Sequence, residues 1–104
     1  MMTKQEFDLL FPKGKCLVAA SNMDEYLKAH DYAVEEYAAI PSSSRNRHDC
    51  QRYPYVFVRP DTHTVDATYD SSRGPIIPFV EWKEIISETD ENVKLCAVNL
   101  SDIL

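Results

Sequence analysis

Two β-forming runs separated by a short polar turn restrict this chain more than any other feature of it. Tyr53–Arg59 (YPYVFVR) is aromatic and β-branched. Thr64–Tyr69 alternates strictly, with Val65, Ala67 and Tyr69 on one side and Thr64, Asp66 and Thr68 on the other. Pro60-Asp61-Thr62-His63 lies between them and consists of turn-forming residues. Such a pair reads as a β-hairpin. An isolated hairpin is marginally stable in water, so the rest of the chain must cover its apolar face. Pro54 at the head of the first run marks either a sheet edge or the start of a strand. An edge at Tyr53-Pro54-Tyr55 would invite strand addition from a partner or a second copy.

The flanking segments supply the cover. Thr3 and Glu6 have capping-box spacing, and Phe7, Leu10 and Phe11 follow on one helical face until Pro12 stops them. After the Lys13-Gly14-Lys15 turn, Cys16–Ala20 (CLVAA) is a short apolar run of the kind a buried strand needs. Asn22 and Glu25 cap a second helix, with Met23, Tyr26, Leu27 and His30 on one face. This helix is expected to end near Asp31; Tyr32–Ile40 could extend it on propensity, but its second half, Tyr37–Ile40, is read as a strand running into Pro41. Residues 41–52 (PSSSRNRHDCQR) are a polar loop. Ile76 and Ile77 are placed to pair with the sheet, and Pro78 suits the first turn of a third helix. That helix would bury Phe79, Trp82, Ile85 and Ile86. Val93, Leu95 and Ala97 alternate as a last strand.

The expected fold class is therefore α+β. It has a small antiparallel or mixed sheet, a central β-hairpin, and two to three helices packed mainly on one face. At 104 residues it is expected to be one domain, 1–104.

Composition excludes several functions. The two glycines, Gly14 and Gly74, are far apart in sequence, so neither a phosphate loop nor a dinucleotide fingerprint can be written. A net charge of −6 disfavours direct nucleic-acid binding, which depends on neutralising phosphates. Three cysteines without a closely spaced pair fit a reducing cytosol. No run approaches the ~20 apolar residues that span a membrane. A cytoplasmic protein is expected, with no membrane partner.

Charge is unevenly distributed. All five arginines lie between Arg45 and Arg73, and no lysine falls among them. Arginine pairs bidentately with phosphate or carboxylate. Arg45, Arg47, His48, Arg52 and Arg59 are candidate anion ligands, and Tyr53 and Tyr55 could stack a base. A homo-oligomer would complete such a pocket at subunit junctions. The plain alternative is that these arginines pair with Asp49, Asp61 and Asp70. Glu35 and Glu36 in one acidic run, and Glu81, Glu84 and Glu88 in another, are candidates for docking on a basic protein surface.

Nothing in the sequence composes a catalytic set. His48-Asp49-Cys50 holds the residue types of a nucleophilic site, but adjacent side chains seldom face one another. Cys50 with His30 or His63 depends on the fold to bring them together. His48, Cys50, Asp61 and His63 lack the spacing of a zinc site. The expectation is no enzyme, no metal and no cofactor.

Several segments resemble the small accessory proteins of bacteriophages and prophages. They are the Lys13-Gly14-Lys15 turn leading into Cys16-Leu17-Val18, the capped helix from Asn22, the Tyr53–Val58 strand, and Ile77-Pro78-Phe79-Val80-Glu81-Trp82. The resemblance implies non-catalytic inhibition by binding. Its target would be a host protein of a defence or nucleic-acid-handling complex, or its ligand a nucleotide signal. It assigns no residue a role.

Overall fold

The structure is a computed structural model, and it describes residues 2–87. Four short strands form one mixed sheet: β1 Leu17–Ala19, β2 Tyr55–Val58, β3 Val65–Thr68 and β4 Ile76–Pro78, in the order β3-β2-β1-β4. The expected hairpin is β2 with β3, antiparallel, with Val56 opposite Ala67 and Val58 opposite Val65. Its turn is closed by His63, a non-glycine residue held at φ 58°. The His63 ring donates from Nε2 to the Tyr37 carbonyl at 2.8 Å, which ties the turn to the end of the second helix.

Of the two readings of Pro54, the strand start is the one found, and the sheet edge is not. β2 pairs on its other side with β1, antiparallel, with Val18 opposite Val56. The Ala20 N–H extends that ladder to the Pro54 carbonyl at 2.8 Å. Pro54 therefore stands at the start of an inner strand. β4 completes the sheet by pairing parallel to β1, with Val18 opposite Ile77 and Ala19 opposite Pro78.

Strand alternation sends Cys16, Val18, Ala20, Val56, Val58, Val65 and Ile77 to one face. They share a buried core with Phe7, Phe11, Tyr26, Ala29, Ala33, Trp82 and Ile85. All three helices thus cover the same face. Leu17 and Phe57 point the other way and are also buried, outside that cluster. The Arg73 guanidinium lies 4.5 Å from the Phe57 ring centroid and covers part of that patch.

Helix α1 spans Lys4–Leu10, and both halves of the Thr3/Glu6 capping box are formed. A 3-10 turn, Phe11–Lys13, follows and ends at Gly14 with φ 71°. A Cβ at Gly14 would sit 2.6 Å from the Val58 carbonyl oxygen, and one at Gly74 would sit 2.3 Å from that of Lys15. Both glycines are spent on close backbone approaches around β1.

Helix α2 spans Met23–Tyr37, so the expected end near Asp31 is corrected. Tyr26, Ala29, His30 and Ala33 are buried at helical spacing. Tyr32 and Tyr37 continue the pattern, each with its ring 6.1 Å from a phenyl ring of the α1 segment, Phe7 and Phe11 respectively. That packing outweighs the local strand preference of the segment. The helix stops at Ala38, φ 54°. Ile40 makes a single parallel bridge to Thr64 in place of the expected strand. Residues 79–87 form helix α3 directly after Pro78, which is the last residue of β4. The expected strand at Val93–Ala97 lies outside the described residues.

One carboxylate clamps α1 to α2. Asp8 accepts from Lys4 Nζ at 2.8 Å, from Tyr32 Oη at 3.3 Å and from Tyr37 Oη. Burial pushes the Asp8 carboxyl up, but the Lys4 ammonium and the two hydroxyls outweigh this and hold it below the usual carboxylate range. A depressed folded pKa stabilises the fold above the unfolded value of about 4, and that stabilisation is lost as pH falls through the folded pKa. Asp8→Asn should cost roughly 1–2 kcal/mol near neutrality in urea unfolding. Its stability should also decline less than that of the parent chain between about pH 5 and about pH 3. Equal acid slopes in the two proteins would rule out an ionised clamp.

Candidate functional site

The serine- and arginine-bearing loop after α2 is docked on that helix. His30 is buried, and its Nε2 accepts the Ser42 backbone N–H at 3.0 Å. The ring hydrogen therefore sits on Nδ1, which donates to Asp31 Oδ1 at 3.0 Å. Asp31 in turn takes Arg45 bidentately, Nε to Oδ1 at 3.0 Å and Nη2 to Oδ2 at 2.7 Å. The Arg45 hydrogen bonds hold the Asp31 carboxyl below its usual range, against a smaller opposing effect of burial and with help from His30. One turn earlier, Tyr26 stacks on His48 with ring centroids 3.8 Å apart. His48 Nε2 donates to the Tyr53 carbonyl at 2.9 Å.

This docking disperses the arginines. Arg45 is committed to Asp31. Arg59 bonds Asp61 at 3.4 Å and Asp66 at 3.2 Å across the hairpin turn. Arg73 is on the other face of the sheet, over Phe57. His48, Arg52 and Tyr53 do come together, with the Arg52 guanidinium 5.7 Å from the Tyr53 ring centroid. Arg47 is exposed and pairs with no carboxylate among the described residues. Tyr55 is in β2, opposite Thr68 and Ala19.

The two thiols among the described residues, Cys16 and Cys50, are not activated. Burial, and then Asp49, push the Cys50 thiol up, and burial pushes Cys16 up to about 12. A nucleophilic cysteine needs the opposite shift. His30 has both ring nitrogens engaged, and His63 has its Nε2 on the Tyr37 carbonyl. Among the described residues no three His, Cys, Asp or Glu side chains are grouped to hold a metal ion.

The second feature is a groove of about 440 Å³ between α2 and α3. Leu27, Tyr32, Trp82 and Ile86 provide its apolar lining. Asp24, Lys28, Asp31, Glu35 and Lys83 provide its polar rim. Asp24 pairs with Lys28 at 3.1 Å and Asp31 with Arg45, whereas Glu35 has no ion-pair partner among the described residues. Glu36 is exposed on α2, and Glu81 and Glu84 are on α3, all three outside the groove lining. Glu88 lies outside the described residues. The two walls carry seven carboxylates (Asp24, Glu25, Asp31, Glu35, Glu36, Glu81, Glu84) against two lysines, a net −5 within the chain's −6.

Trp82 is buried against Tyr32, edge to face with centroids 5.5 Å apart, and its indole N–H has no hydrogen-bond partner among the described residues. The helical spacing of Asp24, Leu27, Lys28, Asp31 and Glu35 is the one sequence signal for this groove. It becomes visible only when the helix is continued to Tyr37.

No protein-family model matches the sequence, and no solved structure is similar to it. The chain is 28% identical over 98 residues to Mitochondrial Rho GTPase 1 of Candida albicans. The match takes in 90% of this chain but only 14% of that protein, so the chain spans a small part of its relative's length.

The docked loop makes a direct prediction. Asp31→Ala removes the partner of both Arg45 and His30 Nδ1. Native-state trypsin cleavage within the Arg45–Arg47 turn should then accelerate, by roughly tenfold if the loop opens as a local unit. Unchanged cleavage at an unchanged helix content would show that α2 does not hold the loop.

Proposed function

We propose that this chain is a non-catalytic binding domain that works by holding a protein partner against the α2–α3 face. The observation that supports this reading is the groove: an apolar lining between two helices that together carry nearly all of the chain's net negative charge. Such a face fits a basic protein surface, and charge complementarity there would steer association and fix register. A phage-type inhibitor would use it to occupy the basic surface of a host defence or nucleic-acid-handling protein in the cytosol. The raised thiols and the committed histidines favour binding over chemistry.

The test is native mass spectrometry of the tagged chain recovered from its host, followed by affinity measurements on charge variants. Glu35→Lys/Glu36→Lys and Glu81→Lys/Glu84→Lys should each weaken the recovered partner's binding, by roughly tenfold at about 50 mM salt and less at about 300 mM. Unaltered affinity in both variants would remove this reading.

A second reading, a nucleotide-binding domain, is favoured by one observation. His48, Arg52 and Tyr53 meet, and Arg47, next to His48 in sequence, pairs with no carboxylate among the described residues, in a chain similar to part of a protein named as a GTPase. Arg45, Tyr55 and Arg59 would join that site only if their present contacts were exchanged. Calorimetry with GTP, GDP and cyclic dinucleotides tests it. Heat that is lost in Arg47→Ala/Arg52→Ala would establish the site, and no heat from any nucleotide would end it.

A further inference from the structure

We infer that His30 is an acid-sensitive latch: a proton on its Nε2 releases the Ser42 turn from α2, and loss of that proton docks the turn again. The latch does not depend on what the α2–α3 face binds.

The latch rests on one acceptor. His30 is 1% exposed, and its Nε2 accepts the Ser42 backbone N–H at 3.0 Å. Only a neutral ring offers an acceptor nitrogen, because protonation makes both nitrogens donors. Nδ1 already donates to Asp31 Oδ1 at 3.0 Å, so Nε2 is the nitrogen an added proton reaches. The charged ring would then set its Nε2–H against the Ser42 N–H. Two buried donors facing each other are both unpaired, which the turn avoids by lifting away.

The other two histidines behave differently. His48 donates from Nε2 to the Tyr53 carbonyl at 2.9 Å, and His63 donates from Nε2 to the Tyr37 carbonyl at 2.8 Å. An imidazolium donates as well as a neutral ring does. Of the three histidines, only His30 loses a backbone partner when it is charged.

The moving part is short. Before Ser42, Ile40 is held to the hairpin in both directions, donating to the His63 carbonyl at 2.8 Å and accepting from the Val65 N–H at 2.9 Å. After it, Arg45 is held to Asp31 by two hydrogen bonds. Between these anchors, the Ser42–His30 bond is the one hydrogen bond from residues 41–44 to α2 among the described residues. Freeing it lets this turn lift while both anchors stay, and water then reaches His30.

The surrounding groups fix the sign. On α2 they are Asp31, at Nδ1, and Tyr26, its ring centroid 5.6 Å from that of His30 and its hydroxyl beside Ser42. On the loop they are Arg45, paired with Asp31, and His48, stacked on Tyr26. Cys50 and Asp66 of β3 act on Tyr26 from further away, and Asp66 is itself paired with Arg59. Asp31 favours the imidazolium whether the turn is docked or lifted, and Arg45 offsets part of that. The Ser42 N–H opposes the imidazolium only in the docked form. The docked form therefore binds fewer protons than the lifted one, so docking strengthens as pH rises and weakens as it falls. Imidazole is the side chain that ordinarily changes charge between about pH 5 and about pH 8.

Nuclear magnetic resonance of the isotope-labelled full chain tests the latch. At about pH 8 the His30 ring should show a bare Nε2 and a protonated Nδ1. Between about pH 8 and about pH 5 the Ser42 amide should lose at least roughly tenfold of its protection from hydrogen exchange, corrected for the intrinsic rate. That loss should run in step with protonation of His30 Nε2. The Ala20 amide, bonded to the Pro54 carbonyl, should keep its protection. His30→Gln substitutes an amide oxygen, an acceptor that does not titrate, and should keep the Ser42 amide protected over the whole range.

Four results would overturn the latch. They are a charged His30 with the Ser42 amide still protected, a ring that stays neutral in the folded chain down to about pH 5, an equal loss at Ala20, which marks global unfolding, and the same loss in His30→Gln. Should His30→Gln fail to fold, the first three results in the parent chain decide the matter.

Discussion

The three residues of β1 decide where everything else goes. Leu17–Ala19 is paired on both sides, antiparallel to β2 and parallel to β4. The antiparallel side recruits the hairpin. The parallel side has a longer reach, because two parallel neighbours leave the sheet at the same end. β1 hands over to α2 through the Asn22 cap, and β4 hands over to the helix of residues 79–87 directly after Pro78. Both helices return over the same face, where Tyr26, Ala29 and Ala33 from one and Trp82 and Ile85 from the other share a core. The groove between them follows from that pairing. Both glycines are used at the close approaches of the chain to this strand and its neighbours, so the backbone has little freedom to arrange it otherwise.

α2 does three jobs with three stripes of one helix. Tyr26, Ala29, His30 and Ala33 face the core. Tyr32 and Tyr37 reach Asp8 and fix α1. Asp31 serves two neighbours, holding Arg45 of the loop while its carboxylate also lines the groove. The shared carboxylate has a consequence for electrostatics. Because Arg45 and Lys28 neutralise Asp31 and Asp24, Glu35 is the one rim carboxylate without an ion-pair partner among the described residues, and Lys83 lines the opposite wall.

The sequence carried some of this plainly. The hairpin was legible from alternation and turn residues, since both signals are local. The Thr3/Glu6 box and the Asn22 cap were legible because caps are side-chain to backbone contacts within a few residues. The reach of α2 was not. Tyr37–Ile40 has strand character by itself, and only the placement of Tyr32 and Tyr37 against α1, some 24 to 29 residues earlier at Asp8, makes helix the better choice. The inner position of β2 was hidden for the same reason. Pro54 permits an edge or a strand start, and only the partner on the far side, β1, distinguishes them. The arginines looked like a cluster because they are close in sequence. Asp31, Asp66 and Phe57 are partners from three other places, and each draws one arginine away.

The same logic governs the two candidate sites. A loop of arginines is a site only if its charges are unspent. Here Arg45 and Arg59 are engaged by carboxylates, which leaves Arg47 and Arg52 beside His48 and Tyr53. An acidic face is a site only if it adds something to charge, because solvated carboxylates are ordinary on a protein surface. The α2–α3 face adds an apolar lining and a buried donor without an acceptor among the described residues. A ligand that met only the charge would be screened away by salt at moderate ionic strength. One that also covered Leu27 and Trp82 would keep the part of its affinity that comes from apolar burial. Trp82 therefore distinguishes this face, as the residue where packing and, among the described residues, an unmet hydrogen bond coincide.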